Sequence, residues 1–417
     1  MARFRRSAPA VDGTLPKEAQ LSMSGLFRST FDRACHRVDA ARGKDDPREL
    51  STRIFFVVLA LSAIGLMLQL SHSSTTMGEE DFWRATFGQL VFRMLGLGAL
   101  LAGLQLGPQG LRRALPVLLA LAIIALILVY VPGVGATING AKRWVSLGFV
   151  SFQPSEVARV VGLLWLAHRL SLLEPPLKDF KRDILPLLLV GALIAGLILF
   201  ETDTGGAMLF MACFSLLLWV GGAEFKKIAG PVLVVMLLAL AGALTFVSYV
   251  RERIAMWLGN SSNAQVTDSL QAIASGDAFG NGFGQGLWRN ARVPYLETDY
   301  IYALVGEEFG LFGMLLVTGL FMTLLVYGLR YALCIKDRYA ALAAFGLILT
   351  VIVQAMIHMQ VVVQLAPPKG MPLPFLSHGG TSLIVSSFAI GVALGAARRE
   401  VRPEPTSSTV AEPTTAA

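Results

Sequence analysis

Long apolar segments dominate this chain and constrain what it can fold into. Of its 417 residues, 54% are hydrophobic and 15% are charged. Each segment is close to the ~20 residues that cross a bilayer as a helix. Backbone polar groups find no water in lipid, so a helix, which satisfies them internally, is the natural spanning form. The sequence therefore predicts an all-α polytopic membrane protein with ten transmembrane helices. The predicted spans are residues 54–71, 85–106, 114–131, 155–171, 184–201, 205–222, 229–250, 300–328, 339–365 and 381–397.

The distribution of lysine and arginine predicts the orientation of these spans. Basic residues are concentrated in the connectors after the even-numbered spans, at Arg112, Arg113, Lys178, Lys181, Arg182, Lys226, Lys227, Arg330, Lys336 and Arg338. Short loops rich in these residues stay in the cytoplasm. Both termini are therefore predicted to be cytoplasmic, with residues 251–299 forming a large extracytoplasmic loop between helices 7 and 8. The net charge of +7 is interpreted as this topology signal, and no nucleic-acid partner is expected.

Composition divides the chain into three parts. Residues 1–53 are predicted to be a cytoplasmic tail, in which apolar residues at helical spacing between 23 and 38 favour an amphipathic helix on the membrane surface. A partly disordered tail is the alternative. Residues 54–398 form the membrane domain, and residues 399–417 form a disordered cytoplasmic tail rich in Pro, Ser and Thr. Because the first 53 residues lack an apolar signal region, the first span is expected to direct membrane insertion.

Asp299 is the most informative single residue. It stands where the long polar segment 251–299 runs into the predicted eighth span. A carboxylate at such a boundary is costly to bury, so it indicates a functional site. The alternative is a helix cap, in which Asp299 and Thr298 only accept hydrogen bonds from the first free N–H groups of the helix.

Three motif-dense segments resemble one protein family. They are Gly140-Ala-Lys-Arg-Trp144 with Phe152-Gln-Pro-Ser-Glu156, Glu297-Thr-Asp-Tyr-Ile-Tyr-Ala303 with Gly306-Glu-Glu308, and Pro372-Leu-Pro-Phe-Leu-Ser377 with Gly379-Gly380. These segments are similar to the SEDS family, the FtsW/RodA group of peptidoglycan polymerases, over most of residues 50–398. Ten spans is also that family's number. The long N-terminal tail and Lys369-Gly370 favour the division-type FtsW branch.

The resemblance implies an inverting glycosyltransferase that joins lipid II units into β-1,4 glycan strands. Undecaprenyl diphosphate would be the leaving group and Asp299 the general base, because a sugar hydroxyl is a poor nucleophile until a base takes its proton. A low-dielectric boundary should raise the pKa of this carboxylate unless a cation opposes the shift. The residues expected to bind substrate are Lys142, Arg143, Glu156, Arg159, Thr298, Lys369 and Ser377.

Two of these predicted binding residues have a competing interpretation. Glu156 and Arg159 are three residues apart, so they are neighbours on one helix face and could form a structural ion pair. The functional interpretation is that Arg159 joins Arg143 and Lys369 in a cationic wall for diphosphate, which suits the paired donors of guanidinium. A divalent cation, Mg²⁺ or Mn²⁺, is a further prediction from Glu201, Asp203 and Asp299. Cap and loop contacts of Glu201 and Asp203 are the alternative.

The resemblance also implies partners and a location. A single-span class B penicillin-binding protein and other divisome or elongasome membrane proteins are the expected partners. The chain is expected in the bacterial cytoplasmic (inner) membrane, with its active site facing the periplasm. Two other functions remain open from the sequence: a lipid II flippase, and a non-catalytic scaffold for the penicillin-binding protein. A scaffold predicts that Asp299 is dispensable, and a flippase needs a polar path through the whole bilayer.

Overall fold

A computed structural model describes residues 45–399 except 77, 139–140, 147–150, 247, 260–263 and 287–296. The amphipathic helix predicted between residues 23 and 38 lies outside the described residues. So does almost all of the tail predicted from residue 399 onward.

Helices account for most of the described chain, and each of the ten predicted spans coincides with one of them. Six helices are long and apolar enough to cross a membrane, and α3 and α6 are shorter apolar helices. The helical membrane-protein architecture is therefore confirmed. The helices are α1 (Pro47–Thr76), α2 (Glu79–Leu111), α3 (Leu115–Leu128), α4 (Pro154–Ser171), α5 (Leu185–Phe200), α6 (Thr204–Val220), α7 (Phe225–Phe246), α8 (Ser248–Trp257), α9 (Ala264–Ser275), α10 (Ile301–Cys334), α11 (Arg338–Val362), α12 (Gly380–Leu394) and α13 (Ala396–Arg399).

The all-α prediction is wrong in one place. Between α3 and α4 the chain forms a three-stranded antiparallel sheet in the order β1 (Gly135–Ile138), β2 (Ala141–Ser146), β3 (Ser151–Phe152). The sequence carried a signal for it, because Asn139-Gly140 is a dipeptide typical of two-residue hairpin turns. The hairpin was not predicted, because its signal is short and lies between two long apolar spans. The sheet matters because β2 carries Lys142 and Arg143.

Glycines bring α2 and α12 into close backbone contact. A Cβ at Gly103 would lie 2.6 Å from the carbonyl oxygen of Phe388, and one at Gly391 would lie 2.1 Å from that of Leu100. Small residues allow such an approach in membranes, where association depends on van der Waals contact and not on a hydrophobic driving force. This close packing against α2 fixes α12, the helix that begins at Gly380, where the motif segment from Pro372 ends.

Helix α10 is interrupted at Gly310, whose φ of +63° is in the left-handed region. A glycine-rich segment, residues 276–286, inserts beside the break and supplies hydrogen bonds to it. The bonds run from Leu311 N to Asp277 O (3.0 Å), Phe312 N to Ala278 O (3.2 Å), Asn281 N to Glu307 O (2.9 Å) and Gly282 N to Glu308 O (3.1 Å). A broken helix at membrane depth is tolerated where protein satisfies its backbone. The segment 276–286 thus holds the part of α10 before the break in position.

Gly306 of α10 lies in a tightly packed surface. A Cβ at Gly306 would lie 3.0 Å from a side-chain carbon of Ile273 on α9, and one at Gly276 would lie 2.0 Å from the carbonyl oxygen of Gly306. Its partners are therefore the short helix α9 and the turn after it, both within residues 251–299. This packing fixes the end of α10 next to Asp299.

Candidate active site

Asp299 lies in the turn just before α10, against the segment between α11 and α12. A Cβ built at Gly370 would be 2.7 Å from its Oδ2, so only glycine leaves the carboxylate in its place. The helix-cap alternative is not what the structure has. The N-cap of α10 is Tyr300, and no side chain caps this end. The Asp299 carboxylate is therefore not used to close the helix.

Burial and two cations set the charge state of Asp299. Burial raises its pKa to about 6, while Arg253 and then Arg143 act in the opposite direction. The sequence predicted a raised pKa unless a cation opposed the shift, and the pKa is raised although two cations oppose it. A pKa of about 6 leaves the carboxylate largely ionised at neutral pH, yet more basic than an exposed aspartate, as a general base requires.

Ser377 holds the turn that carries Asp299. Its hydroxyl donates to the backbone oxygen of Thr298 at 2.6 Å and accepts from Leu373 N at 2.8 Å. Two residues before Asp299, the backbone oxygen of Glu297 accepts from His378 N at 2.9 Å. Ser377 and Thr298, both predicted to bind substrate, are thus brought beside Asp299. The Ser377 hydroxyl is already engaged by backbone, so its contribution here is to positioning.

Arg143 connects the β-hairpin to the turn between α5 and α6. Its Nε donates to the Glu201 backbone oxygen at 3.2 Å, and its Nη2 donates to that of Thr202 at 2.7 Å. These acceptors are neutral carbonyls. The guanidinium is therefore fixed in space by bonds that leave its positive charge in place. Lys142 lies in the same strand, and its side chain is outside the described ones.

Lys369 and Asp203 form a buried ion pair beside this turn. Lys369 Nζ lies 3.3 Å from Asp203 Oδ1, which also accepts from Gly206 N at 3.0 Å and so caps α6. Burial opposes ionisation of Asp203, but Lys369, Arg143 and Arg159 outweigh it and hold the pKa of this carboxyl well below its usual range. Burial lowers the pKa of Lys369, and Asp203 counters part of that shift. The cap contact expected as an alternative for Asp203 is present.

Glu156 and Arg159 form the ion pair that their spacing predicted. Arg159 Nη2 lies 3.1 Å from Glu156 Oε1, and both side chains are buried. Arg159 Nη1 also donates to Gln354 Oε1 at 3.3 Å, and Gln354 Nε2 donates to the Pro372 backbone oxygen at 3.0 Å. A chain of polar contacts thus runs from α4 through α11 to Pro372, which lies in the segment packed against Asp299.

Comparison with known proteins identifies the family. A family model covering FtsW, RodA and SpoVE, described as cell cycle protein, matches residues 51–401. The chain belongs to this family.

Similar FtsW/RodA family members include curated relatives named probable peptidoglycan glycosyltransferase FtsW. That of Geobacter metallireducens is 31% identical over 83% of this chain and 94% of its own length. That of Alkalilimnicola ehrlichii is 35% identical, over 83% of this chain and 88% of its own.

Two solved structures have a similar fold. One belongs to work on the structural coordination of polymerization and crosslinking by a peptidoglycan synthase complex. It has a TM-score of 0.69, 25% identity, and coverage of 84% of this chain and 98% of that chain. The Thermus thermophilus rod shape determining protein RodA has a TM-score of 0.63, 25% identity, and coverage of 84% and 97%.

Two residues next to Asp299 in the structure were missed from the sequence. Arg253, on α8, is the cation with the strongest electrostatic effect on Asp299. Its signal was a basic residue inside a loop too long to be a simple connector. Gly370 was noticed only as the neighbour of Lys369. Its contact with Asp299 joins positions 71 residues apart, so no local pattern could reveal it.

The divalent cation stays a prediction. No group of three or more His, Cys, Asp or Glu side chains in the described residues is arranged to hold a metal ion. Asp203 already contacts an ammonium group and a backbone N–H. Glu201 is buried. Because Asp203 is engaged in these contacts, it is a poor ligand for Mg²⁺.

Substituting Gly370 by alanine should disturb the site without changing any charge. The added methyl would lie 2.7 Å from Asp299 Oδ2, so the carboxylate must turn away from its position. A displacement of about 1 Å can cost on the order of a hundredfold in rate. We expect Gly370→Ala to reduce glycan polymerisation by at least tenfold, measured with purified protein and lipid II. The exposed helical Gly98, with open space around it, offers the matched control Gly98→Ala, and equal loss in both variants would contradict this role.

Proposed function

We propose that the chain polymerises lipid II into β-1,4 glycan strands on the outer face of the cytoplasmic membrane, with Asp299 as general base. Membership of the FtsW/RodA family and its FtsW-named relatives make it a peptidoglycan glycosyltransferase acting in division. The observation that carries the mechanism is the Asp299 carboxylate. It is buried enough to have a raised pKa, flanked by Arg253 and Arg143, and seated against Gly370.

The reaction follows from what a carboxylate at this position can do. A sugar hydroxyl of one substrate attacks the anomeric carbon of another, and the bond from that carbon to undecaprenyl diphosphate breaks. Asp299 takes the hydroxyl proton, and the electron pair of the broken bond leaves on the diphosphate. Attack from the face opposite the leaving group inverts the anomeric centre. A single carboxylate suffices, because no covalent intermediate has to form.

The diphosphate requires positive charge nearby, and the basic residues differ in what they can offer. Arg159 is paired with Glu156, and Lys369 with Asp203, so part of their charge is compensated. Arg143 donates to two neutral carbonyls and has no ion pair within the described residues, although it acts electrostatically on Asp203 and Asp299. We infer that Arg143 contributes most to binding the diphosphate. Lys142, Glu156, Arg159, Lys369, Thr298 and Ser377 complete the proposed substrate site.

The proposed topology has ten crossings with both termini in the cytoplasm. The described helices that coincide with the ten spans support it, as do the basic connectors between them. Residues 251–299, containing α8 and α9, would then form the large extracytoplasmic loop. Asp299 would face the periplasm at the outer end of α10, where lipid II enters from the membrane.

A class B penicillin-binding protein is the proposed partner, together with other membrane proteins of the divisome or elongasome. The structural similarity to a peptidoglycan synthase complex that coordinates polymerization and crosslinking supports such a pairing. Polymerase and crosslinking enzyme act on the same strand in succession, so a stable contact would deliver the product directly.

One assay tests this function against its alternatives. The chain is purified with a class B penicillin-binding protein, supplied with lipid II, and the glycan products are resolved on a gel. Strand formation that depends on Asp299 supports the proposal. If the protein moved lipid II across vesicle membranes and formed no polymer, it would be a flippase. If Asp299→Ala formed as much polymer as wild type, Asp299 would not be the general base.

The pH dependence provides a second test. Because Asp299 must be ionised to accept a proton, kcat/KM should fall as the pH drops through about 6, the pKa of this carboxyl. The slope should approach tenfold per pH unit below it. Arg253 lowers this pKa, so Arg253→Gln should move the acid limb to higher pH. A profile with the same midpoint in Arg253→Gln and wild type would contradict the assignment.

A further inference from the structure

An open cavity of about 820 Å³ lies near the end of α4 that is farthest from Glu156. The connector between α2 and α3 forms one wall, and His168 of α4 forms another. Twelve residues separate His168 from Glu156, which in a helix is about 18 Å. The cavity is therefore remote from Asp299 and the residues around it. Its lining residues are Gln109, Gly110, Arg112, Arg113, Pro116 and His168.

The cavity carries positive charge that no ion pair compensates within the described residues. Arg112 and Arg113 are exposed, and neither belongs to an ion pair with any other described residue. Arg112 is nevertheless held in place, because its guanidinium lies over the Tyr339 ring at 5.7 Å from the centroid. The Tyr339 ring also packs edge-on against His168, with centroids 5.5 Å apart. Two guanidinium groups at one opening form a typical binding site for phosphate.

Two buried polar atoms of the lining have no hydrogen-bond partner among the described residues. They are Nδ1 of His168 and Oε1 of Gln109. The amide of Gln109 is oriented by its other end, since Nε2 donates to Asp337 Oδ2 at 3.3 Å. Buried polar groups are normally satisfied, so these atoms indicate a ligand with both an acceptor for the imidazole and a donor for the amide oxygen.

An apolar stripe continues from the cavity along α3. Val117, Leu121 and Ile124 are 62%, 55% and 51% exposed. They are spaced four and three residues apart, so they share one face of the helix. Pro116, which lines the cavity, immediately precedes the stripe. A molecule with a charged head in the cavity could therefore lay an apolar chain along this face.

We propose that this cavity binds the headgroup of an anionic glycerophospholipid. Its phosphate would accept from Arg112, Arg113 and His168 Nδ1, a hydroxyl of the headgroup would donate to Gln109 Oε1, and an acyl chain would lie on the α3 stripe. A zwitterionic headgroup such as ethanolamine fits less well, because its ammonium would approach two unpaired guanidinium groups. Basic pockets between membrane helices commonly take anionic headgroups. The inference rests on the proposed crossing of α2 and α3, but not on the proposed catalysis.

Direct lipid binding tests the proposal. The purified full chain in detergent is titrated with phosphatidylglycerol, phosphatidylethanolamine or inorganic phosphate, and bound lipid is counted by native mass spectrometry. Removing two charge-assisted contacts in the Arg112→Gln/Arg113→Gln variant should weaken phosphatidylglycerol binding by roughly tenfold or more. The matched control Lys181→Gln/Arg182→Gln removes two exposed charges from another basic connector and should bind like wild type.

Three results would overturn it. They are equal binding in the Arg112→Gln/Arg113→Gln variant and wild type, equal binding of phosphatidylethanolamine, and displacement of the lipid by inorganic phosphate at the same concentration. Displacement by inorganic phosphate would show that the cavity binds anions in general and has no preference for a lipid. These outcomes do not depend on polymerisation, which the gel assay measures separately.

A second variant keeps the proposal testable if the double arginine variant does not fold. Phosphatidylmethanol has the same charge as phosphatidylglycerol but no headgroup hydroxyl. Wild type should prefer phosphatidylglycerol, and Gln109→Leu should bind both lipids with similar affinity because the acceptor is gone. A preference that survives in Gln109→Leu would overturn the assigned role of the amide. A melting transition like that of wild type, measured without lipid, confirms that each variant is folded.

Discussion

Replacing Asp299 by asparagine should abolish glycan polymerisation while leaving the fold intact. Asparagine has nearly the same shape, so the contact with Gly370 remains, but an amide cannot take a proton from a sugar hydroxyl. General-base catalysis is worth about 10²- to 10⁴-fold, and a loss of that size should appear in kcat with lipid II as substrate. Because burial disfavours the ionised form of Asp299, the neutral amide should be tolerated well, and thermal stability should not fall.

The neighbouring carboxylate provides the control. Glu297 is two residues away in the same turn and lies 3.9 Å from the His72 imidazole. Glu297→Gln removes the same charge from the same turn and should keep most of the activity. If both variants lost activity equally, the effect would come from the net charge of the turn and not from proton transfer. Binding to the penicillin-binding protein should be unchanged in both.

Replacing Asp203 by alanine should cause the largest loss of stability. The substitution leaves the Lys369 ammonium buried without its partner at 3.3 Å and removes the cap on Gly206 N. Breaking a buried ion pair by deleting one partner costs about 3–5 kcal/mol, because the remaining charge is uncompensated. We expect a clearly lower melting temperature of the purified protein in detergent for Asp203→Ala than for wild type.

A double-mutant cycle separates the ion pair from the cap. In Asp203→Ala/Lys369→Met neither position of the pair carries a charge, so much of the stability should return.

The folding stability of Asp203→Ala should also depend on pH, in a direction that follows from Lys369. An unpaired buried lysine has a folded pKa below its unfolded value, so the folded state binds fewer protons and stability rises with pH. The defect of Asp203→Ala should therefore be smaller at about pH 9 than at about pH 6. A defect independent of both pH and Lys369 would assign the loss to the helix cap alone.

Sequence motifs indicated the candidate site residues, but they did not indicate how those residues are arranged. Asp299, Arg143, Arg159 and Lys369 were all named from their motifs, and the structure connects them electrostatically through Asp203 and Asp299. The Glu156–Arg159 pair was predictable because a helix fixes the distance between residues three apart. The sequence treated Arg159 and Lys369 as parts of one cationic wall, whereas the structure pairs each with its own carboxylate.

The sequence by itself determined the helical membrane architecture and the chemical identity of the candidate base. Both depend on local composition: some 20 apolar residues specify a helix in lipid, and a carboxylate is costly wherever the chain enters the bilayer. Tertiary structure alone decided what surrounds Asp299. Arg253 precedes Asp299 on α8, whereas Gly370 and Ser377 come from one segment far beyond Asp299 in the chain. The pKa of a carboxyl depends on its burial and on charges within a few ångströms, and those distances exist only after the helices have packed.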